Sequence, residues 1–189
     1  MTLQKKKQRH FNDLSAGEKQ KLIDSSREDL LYEDWWENVY HDAKRCAVRI
    51  GIAIDNIYFS GFSSQGDGAC LTGRYAYERR SIEKIKRYAP KDKELHQIAI
   101  DLAKIQKPTC YGLFATIKHQ GRYNHEHCTI VTIADSHNET TPSYERQDAL
   151  AIELRNFMCW IYKCLEKEHD YLTSDEAISE WLSNNYLEV

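Results

Sequence analysis

Apolar and polar positions alternate along this chain in two rhythms, one of helical period and one of strand period. Between Glu33 and Ile50, Trp35, Trp36, Val39, Ala43, Cys46, Ala47 and Ile50 recur at spacings of three and four. That spacing lays one apolar stripe along a helix, with Gly51 placed to end it. Leu95, Ile98, Leu102 and Ile105 repeat the pattern, with Pro90 expected in the first turn and Pro108 at the end. Leu150, Leu154, Phe157, Met158, Ile161 and Leu165 give the longest periodic face. Two further helices open on capping boxes, Ser15 with Glu18 and Thr173 with Glu176, where each side chain satisfies the other's backbone donor. The first of these is expected to run to about Leu31. Ser81 to Tyr88 reads as a short basic helix.

Strand rhythm occupies Ile54 to Phe62, Ala69 to Tyr77, Gly112 to Lys118 and His127 to Ala134, rich in β-branched and aromatic residues. Gln120-Gly121 offers a turn between the last two. Strands in adjacent pairs, rather than singly between helices, predict an α+β fold: an antiparallel sheet of about four strands, in two hairpins, covered by several helices. The expected organisation is a basic flexible tail over 1–14 and a single α+β domain over 15–189. His137 to Ser143 reads as a loop.

With 189 residues, the chain is long enough to bury about 70% of its unfolded surface in one core. Its 41% hydrophobic and 29% charged residues fit a soluble globular class, and no apolar run approaches the roughly 20 residues that span a bilayer. No apolar stretch follows the Lys5–His10 basic cluster, so a cytoplasmic protein with no membrane association is expected. The six cysteines lack a C-x-x-C pair and are expected as free thiols. A net charge of −3 gives the whole chain no electrostatic pull toward nucleic acid, which leaves nucleic-acid binding a weakly supported option.

Candidate chemistry concentrates in the turn Ser60-Gly61-Phe62-Ser63-Ser64-Gln65-Gly66-Asp67-Gly68. Gly66 and Gly68 permit positive φ, so Ser60, Gly61, Ser64, Gln65, Gly66, Asp67 and Gly68 are expected to display backbone N–H groups and a carboxylate for a ligand or partner. Arg74, with Arg79 and Arg80, is expected to add positive charge. The plainer alternative is a hairpin turn in which Asp67 bonds its own backbone. His125 and His127, two apart on a strand, would point the same way and could share a metal, although no third ligand stands at a recognised spacing. The same histidines with Tyr123 and Asp67 form the catalytic set if the chain is an enzyme, provided the two hairpins lie side by side. Cys70 is a nucleophile only if a neighbour lowers its pKa, and a buried thiol is the simpler reading. No metal or other cofactor is expected.

The segment Tyr58-Phe59-Ser60-Gly61-Phe62-Ser63-Ser64-Gln65-Gly66-Asp67-Gly68-Ala69-Cys70 resembles a family of small phage, prophage and mobile-element proteins loosely labelled "antitoxin of toxin-antitoxin stability system". The Trp35-Trp36 helix, Gly51-Ile52-Ala53-Ile54 and Tyr171-Leu172-Thr173-Ser174-Asp175-Glu176-Ala177 extend the resemblance, while Ser63 stands where that pattern has an aromatic residue. The resemblance implies a protein that binds and neutralises a protein partner, either a toxin or a host defence component. The alternative function is an enzyme acting on a phosphate-bearing ligand, a nucleotide or nucleic-acid end, through the glycine-rich loop and the histidine hairpin.

Overall fold

The computed structural model describes residues 10–32, 34–137 and 141–184. Six α-helices and four strands are assigned among them: α1 (Ala16–Ser25), α2 (Glu37–Arg49), β1 (Ile52–Ser60), β2 (Gly68–Ala76), α3 (Ser81–Tyr88), α4 (Lys93–Gln106), β3 (Leu113–His119), β4 (Thr129–Asp135), α5 (Tyr144–Leu172) and α6 (Asp175–Asn184). The strands form one antiparallel sheet in the order β1-β2-β3-β4, so the fold is α+β. By their contacts the described residues group into two compact units, one within 38–165 and the other made of those within 10–37 and 166–184.

In the unit over 38–165, strand alternation separates a buried sheet face from an open one. Ile57, Leu71, Tyr75, Leu113, Ala115, Ile117 and Ile133 are buried, whereas Tyr58, Arg74, Phe114, Lys118 and Ile130 are exposed. The helical stripes supply the rest of the core through Ala43, Cys46, Ala47, Leu95, Ile98, Leu102, Leu150, Leu154, Phe157 and Ile161. Burying each large aliphatic or aromatic side chain contributes roughly 1.5–3 kcal/mol. Polar clamps fix the helices. Fully buried Gln106 ends α4 and closes a two-way bridge to the start of β3, accepting from the Leu113 N–H (3.1 Å) and donating to the Leu113 carbonyl (2.6 Å). Asp92 caps α4 by accepting from the Leu95 N–H at 2.9 Å, and its other oxygen accepts from the Trp160 indole at 2.7 Å.

Between α2 and β1, Gly51 adopts φ +90°, and a Cβ there would meet the Ala76 carbonyl oxygen at 2.0 Å. Only glycine lets the chain turn this closely, and the turn brings the end of α2 against the end of β2. Asp55 lies at the irregularity between Ile54 and Asn56 where the β1–β2 register slips by one.

In the other unit Phe11, Leu14, Ile23, Leu30, Ala177, Ile178 and Leu182 form a small core. The expected 1–14 tail is therefore corrected over 10–14: Phe11–Asp13 make a 3₁₀ turn, and Phe11 is anchored there because its ring gains more from burial than from water. Residues 1–9 lie outside the described set. Ser15 and Glu18 close the expected capping box, but α1 stops at Ser25 rather than near Leu31. The box expected at Thr173 and Glu176 does not form among the described residues; a one-way cap from Ser174 takes its place. Ser174 Oγ accepts from the Ala177 N–H (3.2 Å), while the Thr173 hydroxyl donates back to the His169 carbonyl (2.9 Å). Pro90 sits in the turn before α4, not in its first turn. Of the expected 137–143 loop, residues 138–140 lie outside the described set.

Candidate functional site

Antiparallel order puts the β1–β2 loop and the β3–β4 connector at the same end of the sheet, and the two do meet. A Cβ on Gly66 would sit 3.5 Å from the Tyr123 ring, and one on Gly68 would sit 3.0 Å from the His125 ring. Asn124 crosses between them and donates to the Phe59 carbonyl at 3.0 Å. The side-by-side hairpins required by the catalytic set are therefore present.

The chemistry within the loop differs from that expected. Asp67 turns inward: its Oδ2 accepts from the N–H groups of Ser63 (3.0 Å) and Ser64 (2.7 Å), and its own N–H donates to the Ser64 carbonyl (3.1 Å). A Cβ on Gly61 would approach that oxygen to 2.8 Å. The carboxylate expected to face outward thus accepts from the expected Ser64 donor and from Ser63, which is the plainer of the two readings. The phosphate-binding version of the loop loses those donors. Gly66 takes the positive φ (+93°), but Gly68 is buried and extended within β2. Gln65 is exposed at the tip, and Ser60 pairs with Gly68 at its base, its Oγ buried without a hydrogen bond among the described residues.

Aromatic packing holds the loop from behind. The Tyr162 hydroxyl of α5 donates to the Gly61 carbonyl at 2.9 Å, and Phe62 stacks between Tyr162 and Phe59 at centroid distances of 5.4 and 6.0 Å. Arg74 is not part of this assembly. It lies seven residues past Asp67 on β2, opposite Ala53 and Thr116, roughly 20 Å along the strand at the usual rise. Arg79 and Arg80 follow the far end of the same strand, so none of the three adds charge to the loop.

His125 and His127 are not strand neighbours. His125 caps a 3₁₀ turn over Glu126–Cys128, and the two rings stack at 5.3 Å. His125 Nδ1 accepts from the His127 N–H at 3.2 Å and also lies 3.2 Å from a carboxylate oxygen of Glu126. His127 Nε2 is 3.7 Å from the other oxygen. Glu126 is thus flanked by two imidazoles. Among the described residues no group of three or more His, Cys, Asp or Glu side chains is placed to hold a metal ion. No bond links Asp67 to His125 or Tyr123 among the described residues, so the catalytic set is adjacent without being coupled.

Burial pushes the Cys70 thiol up to about 12, reinforced by Cys128 and Glu126, which keeps it protonated and unreactive at neutral pH. Burial, then the neighbouring Glu126, pushes Cys159 up to about 11. All six cysteines are free thiols.

Two contributors escape a local reading of the sequence. His119 Nε2 donates to the Tyr123 carbonyl at 3.0 Å, and its ring stacks on Tyr58 at 5.4 Å. This single histidine touches both exposed tyrosines of the tip, the ring of Tyr58 (37% exposed) and the backbone of Tyr123 (55%), and Ile130 (46%) is the second residue of β4. The Tyr162 contact, 101 residues away in sequence, also leaves no local pattern.

Residues 35–175 match the model of a family described as a domain of unknown function, DUF8835. The chain belongs to this family. The DUF8835 span takes in the whole sheet, both tip loops and all of α5, and it stops at the first residue of α6. No curated protein and no solved structure matches the chain. No helix among the described residues is long and apolar enough to cross a membrane.

Proposed function

We propose that the protein acts by binding a protein partner through the hairpin tips, as an antitoxin-like or anti-defence inhibitor whose partner is a toxin or a host defence component. The observation that supports this reading is the pair of exposed tyrosines, Tyr58 and Tyr123, held by His119 and by the Gly66 turn at one end of the sheet. Rings fixed in place before contact lose little conformational entropy on docking, and tyrosine is among the residues that dominate binding energy at interfaces. The partner class rests on the mobile-element resemblance of the Tyr58–Cys70 segment.

Affinity purification of the tagged protein and of its Tyr58→Ala/Tyr123→Ala variant from a host carrying the mobile element tests the reading. The expected result is a stoichiometric protein retained by the wild type and lost by the variant, with circular dichroism unchanged. Absence of a stoichiometric protein partner, or equal retention by both, overturns it. Each well-packed tyrosine removed is expected to cost the complex about 1–2 kcal/mol.

A further inference from the structure

The other end of the sheet carries a different surface. A cleft of about 530 Å³ opens there between the end of α2 and α3. From α3 and the residue before it come Arg80, Lys84 and Arg87, spaced at i, i+4 and i+7 and so on one helix face; from α2 comes Arg49. Glu78 and Glu83 complete the charged lining, and Glu78 is already paired with Lys84. The side chains of Arg80 and Arg87 are exposed and have no hydrogen-bond or ion-pair partner among the described residues. Arg49 is held over the Tyr88 ring at 3.8 Å, with Arg45 over the same ring at 5.9 Å, and the Tyr88 hydroxyl donates to Asp42. A chain whose net charge is −3 therefore gathers four cations around one groove and leaves two guanidinium groups without a counter-charge.

An aromatic platform adjoins it. Tyr77, next in the chain to Glu78 of the cleft, packs against Tyr111 with the rings tilted by 30° and their centroids 4.3 Å apart, and Tyr111 is 45% exposed. Cations that track a phosphate backbone beside a ring that accepts a base are the elements of single-strand recognition. Guanidinium forks suit phosphate oxygens, and the cation row of α3 extends roughly 10 Å at the helical rise, longer than a single phosphate requires.

We infer that the cleft between α2 and α3 binds the phosphate backbone of a single nucleic-acid strand, with Tyr111 stacking on one base. The site is separate from the hairpin tips and does not depend on the function proposed for them.

Fluorescence anisotropy with a labelled 12-nucleotide strand, its duplex and ATP tests this on the full chain. Single-strand binding is expected within the 10⁻⁴–10⁻⁶ M range of non-specific contacts, weakening linearly in log[salt] by about 0.7 per phosphate engaged. Arg80→Gly/Arg87→Gln is expected to lower affinity about tenfold and to flatten the salt slope by about 1.4, the value for two lost phosphate contacts. The N-terminal lysines remain in this variant, so the loss maps to the cleft. Tyr111→Ala is expected to weaken binding severalfold without changing the slope, a result that charge loss alone does not produce. Circular dichroism checks that each variant is folded. No salt-dependent binding at about 100 µM protein overturns the inference, as does an unaltered Arg80→Gly/Arg87→Gln variant. Tighter binding of the duplex, or of ATP at matched phosphate concentration, also overturns it.

Discussion

The two ends of the sheet solve opposite problems. At the hairpin tips the polar groups satisfy one another: Asp67 caps the Ser63 and Ser64 amides, His119 holds the Tyr123 carbonyl, and Asn124 holds that of Phe59. What remains outward is the pair of tyrosine rings, Tyr58 and Tyr123, beside exposed Ser63, Ser64, Gln65 and His127. At the α2–α3 end, cations stand without counter-charges, and three residues other than glycine, Arg80 (φ 60°), Cys110 (φ 49°) and Tyr111 (φ 65°), occupy the left-handed region. Such conformations cost about 1 kcal/mol or more each and persist where surrounding structure imposes them. One end ties its loops together through internal hydrogen bonds around two exposed tyrosine rings; the other retains strain and unmatched charge.

The largest expected effect tests whether the two ends stand or fall together. Cys70 near the tips and Tyr75 near the cleft lie on β2, both fully buried, and burial pushes each up to about 12. Cys46 on α2 is raised to about 12 for the same reason. A raised folded-state pKa favours the protonated form, so this stability is fully present below the ordinary thiol and phenol values and is lost as pH climbs toward 12. Each thiol contributes an alkaline loss on the order of 4 kcal/mol, several such groups act together, and cooperative unfolding is expected between about pH 10 and 12. Far-ultraviolet circular dichroism and hydrodynamic radius should change in one transition. Two separated transitions would show that the ends are independent.

Next in size is a pair of glycine substitutions that separates conformational strain from collision. Gly51 and Gly66 share nearly the same φ, +90° and +93°. At Gly51 the new Cβ meets the Ala76 carbonyl oxygen at 2.0 Å; at Gly66 it meets the Tyr123 ring at an ordinary 3.5 Å. Gly51→Ala should therefore lose more than about 3 kcal/mol and Gly66→Ala about 1 kcal/mol in urea denaturation. Equal losses would mean that the α2–β1 turn relaxes freely and that the cleft is not fixed by it.

Much of this arrangement is legible in the sequence because its causes are local. Each strand lies within about two residues of its expected bounds, since β-branched runs carry their own signal, and Ser81–Tyr88 and the Ser15–Glu18 box need only neighbouring residues. The misreadings arise where remote contacts or competing local geometries decide. Phe11 is hidden among basic residues and is buried only because Ile178 and Leu182 arrive from the far end of the chain. His125 and His127 have strand spacing, but His125 Nδ1 accepts the His127 N–H and turns the backbone into a 3₁₀ turn. Asp67 could face either way by sequence, and the Tyr162 and Asn124 contacts that accompany its inward turn come from distant segments. The i, i+4, i+7 cations of α3 are visible in one dimension, whereas Arg49 joins them through the Gly51 turn.

Asp67→Ala offers a smaller perturbation confined to the tips. Ser63 and Ser64 are exposed, so water replaces the lost carboxylate, and a loss of about 1 kcal/mol is expected rather than the larger cost of an orphaned buried donor. Amide hydrogen exchange should accelerate at Ser63 and Ser64 while the amides of α3 stay unchanged. Asp67→Asn, which keeps one acceptor oxygen, should lose less. A variant as stable as the wild type with unaltered exchange at both serines would remove Asp67 from its structural role.

Arg80→Gly should change stability least while changing function most at the cleft. Removing the side chain relieves the left-handed strain at φ 60°, worth about 1 kcal/mol, and the more flexible unfolded chain returns a penalty of about 0.5–1 kcal/mol. The two nearly cancel, and no side-chain hydrogen bond or ion pair of Arg80 among the described residues is lost. The midpoint of urea unfolding should stay within about 0.5 kcal/mol of the wild type. Arg80→Ala keeps the strain and loses the charge, so it should be no more stable than the glycine variant while binding anions equally poorly. A glycine variant clearly less stable than the alanine one would show that the guanidinium stem, and not the backbone, holds the start of α3, and the contrast between a self-matched end and a strained, charge-bearing end would lose its clearest example.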